Sequence, residues 1–387
     1  MKQIRGFFNQ IFSPHKPLPA GFFHYQAPVQ DEKPYRLHLR IDPDGNGILI
    51  VNARTVLHLN ATATEFAYHF IKKTSDQATA ASIGRRYNIT KTIALKDYQE
   101  FKGRIETLIH SPQVDPETTL DFERVTPYSK DILAPYRLDC AITYRLPGNI
   151  SANFAPQERV KRELTTVEWK TILQKAWNAG IPQVIFTGGE PTQREDLSEL
   201  IIEAERLGLV SGVLTDGLKL ADKNYLDKLL RSGLDHIMFL LEPNDQKSWG
   251  ALKIILATDL FTTVHLTITS ENENKSVELL ERLSKLGVRS LSISTNDEKL
   301  KPVLKLIQHE AAHLQLALVW DLPVPYSECH PIAFEMLGQD DQLIKGAGKA
   351  WLYVEPGGDV LPAQGINQVL GNLLTDEWTT IWKNRPV

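Results

Sequence analysis

From Arg137 to Pro323 the chain alternates repeatedly between short apolar strand cores and helical stretches with a charged face. The strand cores read Leu138–Tyr144, Gln183–Thr187, Ser211–Leu214, His236–Leu241, Thr263–Thr269, Ser290–Ser294 and Leu314–Trp320. Helical segments such as Glu168–Ala179, Leu197–Leu207 and Ser276–Leu286 lie between them. Strands joined through helices pair in parallel, with the helices covering the sheet. Six or seven such units favour an α/β fold with a partial TIM-like (β/α)6-7 barrel over a flat open sheet. In that architecture the strand C-termini carry the functional groups.

Further blocks flank this one. Residues 1–34 read as an N-terminal arm in which Asn9, Gln10 and Pro14 interrupt any signal-peptide core. In residues 35–110, strand patterns at Arg36–Ile41, Ile48–Val51 and Thr55–Leu59 precede a helix capped by Asn60 and running to Lys73. A second helix capped by Ser75 and a third from about Leu95 complete a small winged-helix-like module. Residues 111–136, rich in Pro, Asp, Thr and Ser, form a linker to the barrel at 137–325. Residues 326–387 are short and irregular, with a hairpin over Trp351–Leu361 and a last helix bearing Trp378 and Trp382.

Net charge is −4, so no global basic field drives nucleic-acid binding. No apolar run reaches the ~20 residues of a membrane span. Cys140 and Cys329, the only cysteines, give no disulfide framework, which suits a reducing compartment and a cytoplasmic protein. The tryptophans have no regular spacing and read as packing groups.

Chemistry concentrates at Thr187-Gly188-Gly189-Glu190-Pro191. Two glycines after a buried strand let backbone approach a ligand, and the carboxylate that follows can receive an ammonium group. A tight turn with a solvated Glu is the plain alternative. A competing motif, His309-Glu-Ala-Ala-His313, has the spacing of a helical zinc site. Leu300, Val303, Ile307, Ala311 and Leu314 form the apolar stripe of that helix, however, and both histidines fall on its far side.

The segment from Glu163-Leu-Thr-Thr-Val-Glu-Trp169 through Thr187–Pro191 to Arg194-Glu-Asp-Leu197 resembles the second βα unit of radical S-adenosylmethionine enzymes. Leu138-Asp-Cys-Ala-Ile-Thr-Tyr-Arg145 resembles the strand leading into that family's cysteine loop. The family's three-then-two spacing places its cluster ligands at Leu146, Ile150 and Asn153, none of them a thiolate. Cys140 comes six residues too early and reads as a small buried hydrophobe. Thr215-Asp216-Gly217 and Thr267–Asn272 resemble the third- and fifth-strand ends, whereas Leu240-Leu-Glu242 departs from the polar fourth-strand pattern.

Residues 36–110 resemble the PqqD-like peptide-chaperone domain, or RiPP recognition element, which takes a precursor's leader peptide as an added strand. With 11 Lys/Arg against 7 Asp/Glu, this segment suits an acidic peptide. The tail resembles a SPASM domain in which Pro362-Ala363 replaces the Pro-Cys pair of an auxiliary cluster.

The resemblance implies a leader-peptide partner and an active radical enzyme beside this chain. It also implies S-adenosylmethionine contacts at Gly188, Gly189, Glu190, Thr215, Asp216 and Asn272, with no protein metal ligands and no [4Fe–4S] cluster. Such a chain is a pseudoenzyme of ribosomal-peptide modification. Two other classes stay open: a barrel enzyme running iron-free acid–base chemistry on Glu190, Asp216 and Glu242, and a DNA-binding winged-helix regulator.

Overall fold

The computed structural model describes residues 18–28, 35–52, 55–110, 132–148, 154–295, 297–319, 322–328, 330–332 and 346–385. The chain divides into two compact units, residues 1–133 and 134–387.

In the first unit, strands β1 (Gly21–Gln26), β2 (Arg36–Ile41), β3 (Gly47–Val51) and β4 (Thr55–Leu59) form an antiparallel sheet in that order. Helices α1 (Ala61–Ile71), α2 (Asp76–Tyr87) and α3 (Lys91–His110) follow. Asn60 caps α1 by accepting from the Ala63 amide at 3.0 Å, and Ser75 caps α2 through Ala78. Alternation along β2 and β4 sends Leu37, Leu39, Leu57 and Leu59 into a core shared with Phe66, Ile83, Phe101 and Ile105 of the helices. One expectation changes here. Residues 21–26 lie within the supposed arm, yet they form the edge strand β1. Phe23 meets the Tyr68 ring edge-on at 5.0 Å, and that aromatic contact helps to anchor the strand.

The second unit begins with β5 (Arg137–Thr143) and continues α4 (Thr166–Asn178), β6 (Gln183–Gly188), α5 (Leu197–Leu207), β7 (Val210–Thr215), α6 (Lys223–Arg231), β8 (His236–Leu240) and α7 (Gln246–Leu256). It goes on through β9 (Phe261–Ile268), α8 (Ser276–Lys285), β10 (Ser290–Thr295), α9 (Lys301–His313) and β11 (Ala317–Leu318). Strands β5 to β11 pair in parallel, each with the next, as the strand–helix alternation requires. Alternate residues of each strand, such as Cys140, Phe186, Val213, Phe239 and Val264, join the core under the helices with Trp169 and Leu252. The opposite residues line the barrel's inner face.

Strand β11 is shorter than its sequence suggested, because Leu314 still closes α9 and Gln315 turns the chain at φ 57°. His309 and His313 are exposed, while Ile307 and Ala311 on the same helix are fully buried. The expected hairpin is present as β12 (Trp351–Val354) and β13 (Asp359–Leu361), followed by β14 (Gly371–Asn372) and α10 (Trp378–Lys383). It is not a separate tail, however. Strand β12 pairs in parallel with β5, Trp351 opposite Arg137 and Val354 opposite Cys140, so the hairpin extends the barrel sheet. No helix among the described residues is long and apolar enough to cross a membrane.

Cys140 lies fully buried between Leu138 and Ile142, and burial pushes its thiol well above the ordinary range. In a Cys329→Ser variant the native protein is expected to show no thiol reactive with Ellman's reagent. One equivalent should appear on unfolding, and reaction of the folded protein would place Cys140 outside the core.

Candidate functional site

The site is built where β5 and β6 leave the sheet. Gly188 adopts φ +134°, and a Cβ there would stand 1.9 Å from the Thr143 carbonyl oxygen. At Gly189 a Cβ would stand 2.4 Å from the Arg145 oxygen. Both glycines are therefore required by the protein's own backbone, which passes this close. The Gly189 amide donates to Thr143 O and the Glu190 amide to Arg145 O, each at 2.8 Å.

Side chains hold the two exits from outside. Glu163 accepts from the Thr143 hydroxyl at 2.5 Å and from the Tyr144 amide at 3.1 Å. The buried Arg194 guanidinium donates to the carbonyls of Ile142 and Leu164, both at 3.0 Å, and clamps Asp196 with two hydrogen bonds.

Glu190 is 3% exposed. One carboxylate oxygen accepts from the Thr192 amide at 3.0 Å and the Thr215 hydroxyl at 2.8 Å, and the other accepts from the Asp216 amide at 2.9 Å. The side chain thus stitches the end of β6 to the end of β7. Asp216 turns its own carboxylate onto the Leu218 amide at 2.9 Å. Burial, and then the neighbouring Asp216, raise the Glu190 carboxyl to about 7, and burial raises Asp216 too.

Glu190, Thr215 and Asp216 therefore form one hydrogen-bonded group, and Gly188 and Gly189 lead the chain into it. Asn272 stands apart at the end of β9, where its amide accepts from Thr269 N at 3.0 Å and donates to Thr267 O at 2.9 Å. It closes its own loop. Glu242, at the end of β8, is exposed. Cys329, Ile150 and Asn153 lie outside the described residues.

The inner face also carries groups that were not singled out from sequence. His265 of β9 lies 3.0 Å from the hydroxyls of both Ser292 and Ser294 on β10, with Thr267 at 3.3 Å. Burial, with His330 nearby, lowers its pKa to about 3, so the imidazole is neutral. The signal was present as polar residues at every second position of Thr263–Thr267 and Ser290–Ser294. Thr187 on β6 is buried, and its hydroxyl has no hydrogen-bond partner among the described residues. Tyr326 donates its backbone N–H to Gly188 O at 2.9 Å. Nothing in the local pattern around Leu322–Tyr326 marks that contact.

Residues 140–296 match the model of the radical SAM superfamily. A PqqA peptide cyclase of Gluconobacter oxydans is 32% identical over 176 residues, which are 41% of this chain and 49% of that protein. The chain thus spans about half of that relative's length. A PqqA peptide cyclase of Methylobacterium sp. is 27% identical over 299 residues, 68% of this chain and 76% of its own length. Among solved structures, Streptococcus suis SuiB aligns with a TM-score of 0.56 at 16% identity, over 91% of this chain and 87% of that one. SuiB bound to its precursor peptide SuiA gives 0.55 at 16% identity, over 87% and 85%. At that identity the likeness establishes the fold.

A carboxyl whose folded pKa is raised above its unfolded value stabilises the fold at low pH. That contribution is lost as pH climbs from about 4.5 to about 7. Glu190→Gln should remove this slope, so that variant and wild-type stabilities diverge across the window by on the order of 3 kcal/mol. Urea unfolding at closely spaced pH values measures it, and parallel curves would show that Glu190 does not titrate there.

Proposed function

We propose that the chain, whose residues 140–296 match the radical SAM superfamily, serves a ribosomal-peptide modification system as a peptide-binding member that does not generate the radical. The carrying observation is the cysteine inventory. An iron–sulfur cluster of this kind needs a set of thiolates, and the sequence supplies only Cys140 and Cys329. Cys140 belongs to the buried core of β5. Leu146, at the first ligand position, packs its side chain against the cluster of Ala141, Tyr144 and Tyr353. These residues do not fit an iron–sulfur cluster, and no step of the proposed function runs through one.

Two binding functions remain. S-adenosylmethionine is the ligand that the superfamily scaffold supports, with Gly188, Gly189 and Glu190 at its methionyl end. The second ligand is a precursor's leader peptide, taken up by the PqqD-like module of residues 35–110. Strand β4 stands at one end of the first unit's sheet. Beside it is a cavity of about 390 Å³ lined by His58, Leu59, Ala63, Phe66, Asp97 and Arg104, among others. An extended peptide can add to that edge through its backbone and place alternate side chains in the groove. The PqqA cyclase relatives and the SuiA-bound neighbour support a peptide as the partner. The active radical enzyme would then be a separate protein that receives the peptide.

A second reading, iron-free acid–base chemistry, draws on Glu190 and Asp216, whose carboxyls are both raised by burial. It requires turnover that Glu190→Gln abolishes without unfolding the chain. Glu242, being exposed, is the weakest member of that set.

Anaerobic reconstitution with iron and sulfide should leave the protein colourless, with negligible bound iron. Near-stoichiometric iron with a charge-transfer absorption band would end the proposal. For the peptide arm, Ala63→Trp fills the groove beside β4. Fluorescence anisotropy with labelled PqqA and SuiA peptides as probes is expected to show binding to the wild type and a loss of tenfold or more in the variant. Equal affinities would move the peptide site elsewhere.

A further inference from the structure

The groove beside β4 combines an apolar floor with a charged wall, and α3 sets the spacing between them. Leu59 of β4, Phe66 of α1 and Phe101 of α3 line it. All three are buried, and the Phe66 and Phe101 rings lie 5.8 Å apart between centroids. Asp97, Glu100 and Arg104 carry the lining along α3. Helical residues three, four and seven apart share one face, so these residues stand in a row with Phe101. Asp97 precedes Phe101 by one turn, roughly 6 Å along the axis.

The charges of that row do not cancel. Arg104 donates to Glu100 at 2.6 Å, so those two offset each other. Asp97 is exposed and has no ion pair among the described residues, which leaves its charge uncompensated. Residues 36–110 carry 11 Lys/Arg against 7 Asp/Glu, yet Arg104 is the one cation that lines the groove among the described residues. The others are spent elsewhere. Lys72 and Lys73 lie over the Phe23 and Tyr25 rings at 5.3 and 3.8 Å, Arg86 is 2.9 Å from Glu65, and Lys102 is 3.4 Å from Asp76. The N-terminal turn of α1 brings a partial positive charge to the opposite wall. Asn60 already occupies its Ala63 amide, however, and the full charge of Asp97 outweighs the remainder.

We infer that the groove selects a peptide segment bearing a large apolar residue and, two positions away, a lysine or arginine, with Asp97 as the group that reads the cation. Two residues of an extended strand put their side chains on one face about 6.6 Å apart. That step matches the one from Phe101 to Asp97 along α3. The unit's total charge suited an acidic peptide, and the lining of the groove reverses that expectation. The inference rests on the reading of this groove as the peptide site, and one experiment separates the two.

Three labelled decapeptides of serine and threonine serve as probes. The first carries a leucine and, two positions on, a lysine. The second has glutamate in place of the lysine, and the third has serine in place of the leucine. Fluorescence anisotropy compares their binding to the full wild-type chain, to Asp97→Lys and to Ala63→Trp. The wild type is expected to bind the first probe about fivefold or more tighter than either of the others, the scale of one well-placed surface charge pair. The charge preference should shrink at high salt and invert in Asp97→Lys, a substitution at an exposed site that leaves the core untouched. Equal affinities, a preference for glutamate, indifference to the leucine, or a lysine preference that survives Asp97→Lys overturns the inference. In those cases the groove remains the peptide site if Ala63→Trp abolishes binding. Binding that Ala63→Trp does not weaken, or no binding of any probe, removes the groove reading and the inference with it.

Discussion

The exits of β5 and β6 run so close that no side chain fits between them, and the remainder of the mouth follows from this contact. A Cβ on Gly188 or Gly189 would strike the carbonyls of Thr143 or Arg145, so the two loops behave as one piece of backbone. Two amide hydrogen bonds of 2.8 Å then fix the direction in which Glu190 leaves. Glu163 and Arg194 hold the same crossing from the solvent and helix sides. Were the loops to separate, the Glu190 carboxylate would lose its position under the end of β7.

That carboxylate has an unusual task. It is buried, accepts from three donors and faces another carboxylate instead of a cation. Hydrogen bonds favour its ionised form while burial and Asp216 oppose it, and the opposition wins. His265 is held uncharged among hydroxyls, and an apolar patch on β6–β8 is covered by the chain itself. The polar groups of the mouth are thus mostly occupied by one another.

Much of this was legible in the sequence, and what was legible was periodic. Strand–helix alternation located β5 to β11 and the Thr187–Pro191 exit, because short strand cores recur between amphipathic helices. The helical stripe through Ile307 and Ala311 correctly turned His309 and His313 outward. Cys140 was readable as core from its apolar neighbours. Contacts set by tertiary placement were hidden. Phe22 and Phe23 looked like part of a loose arm until β2 provided an edge for them. Asn272 sat in a family-like position, and the structure adds what no pattern showed: its side chain accepts from the Thr269 N–H and donates to the Thr267 carbonyl. Tyr326 reaches Gly188 from far along the chain, and no local pattern encodes such a meeting.

The placement of β12 beside β5 has a bearing on how the second unit is made. The first strand of the barrel finds its outer neighbour in residues more than two hundred positions later, Trp351 opposite Arg137. As the chain is synthesised, β5 therefore passes through a long interval with one edge open, exposing unpaired backbone of a strongly apolar strand. Closing so large a loop is slow compared with pairing neighbouring strands. Strand β12 thus acts as a late seam, and until it arrives the barrel is a nascent chain with a vulnerable margin.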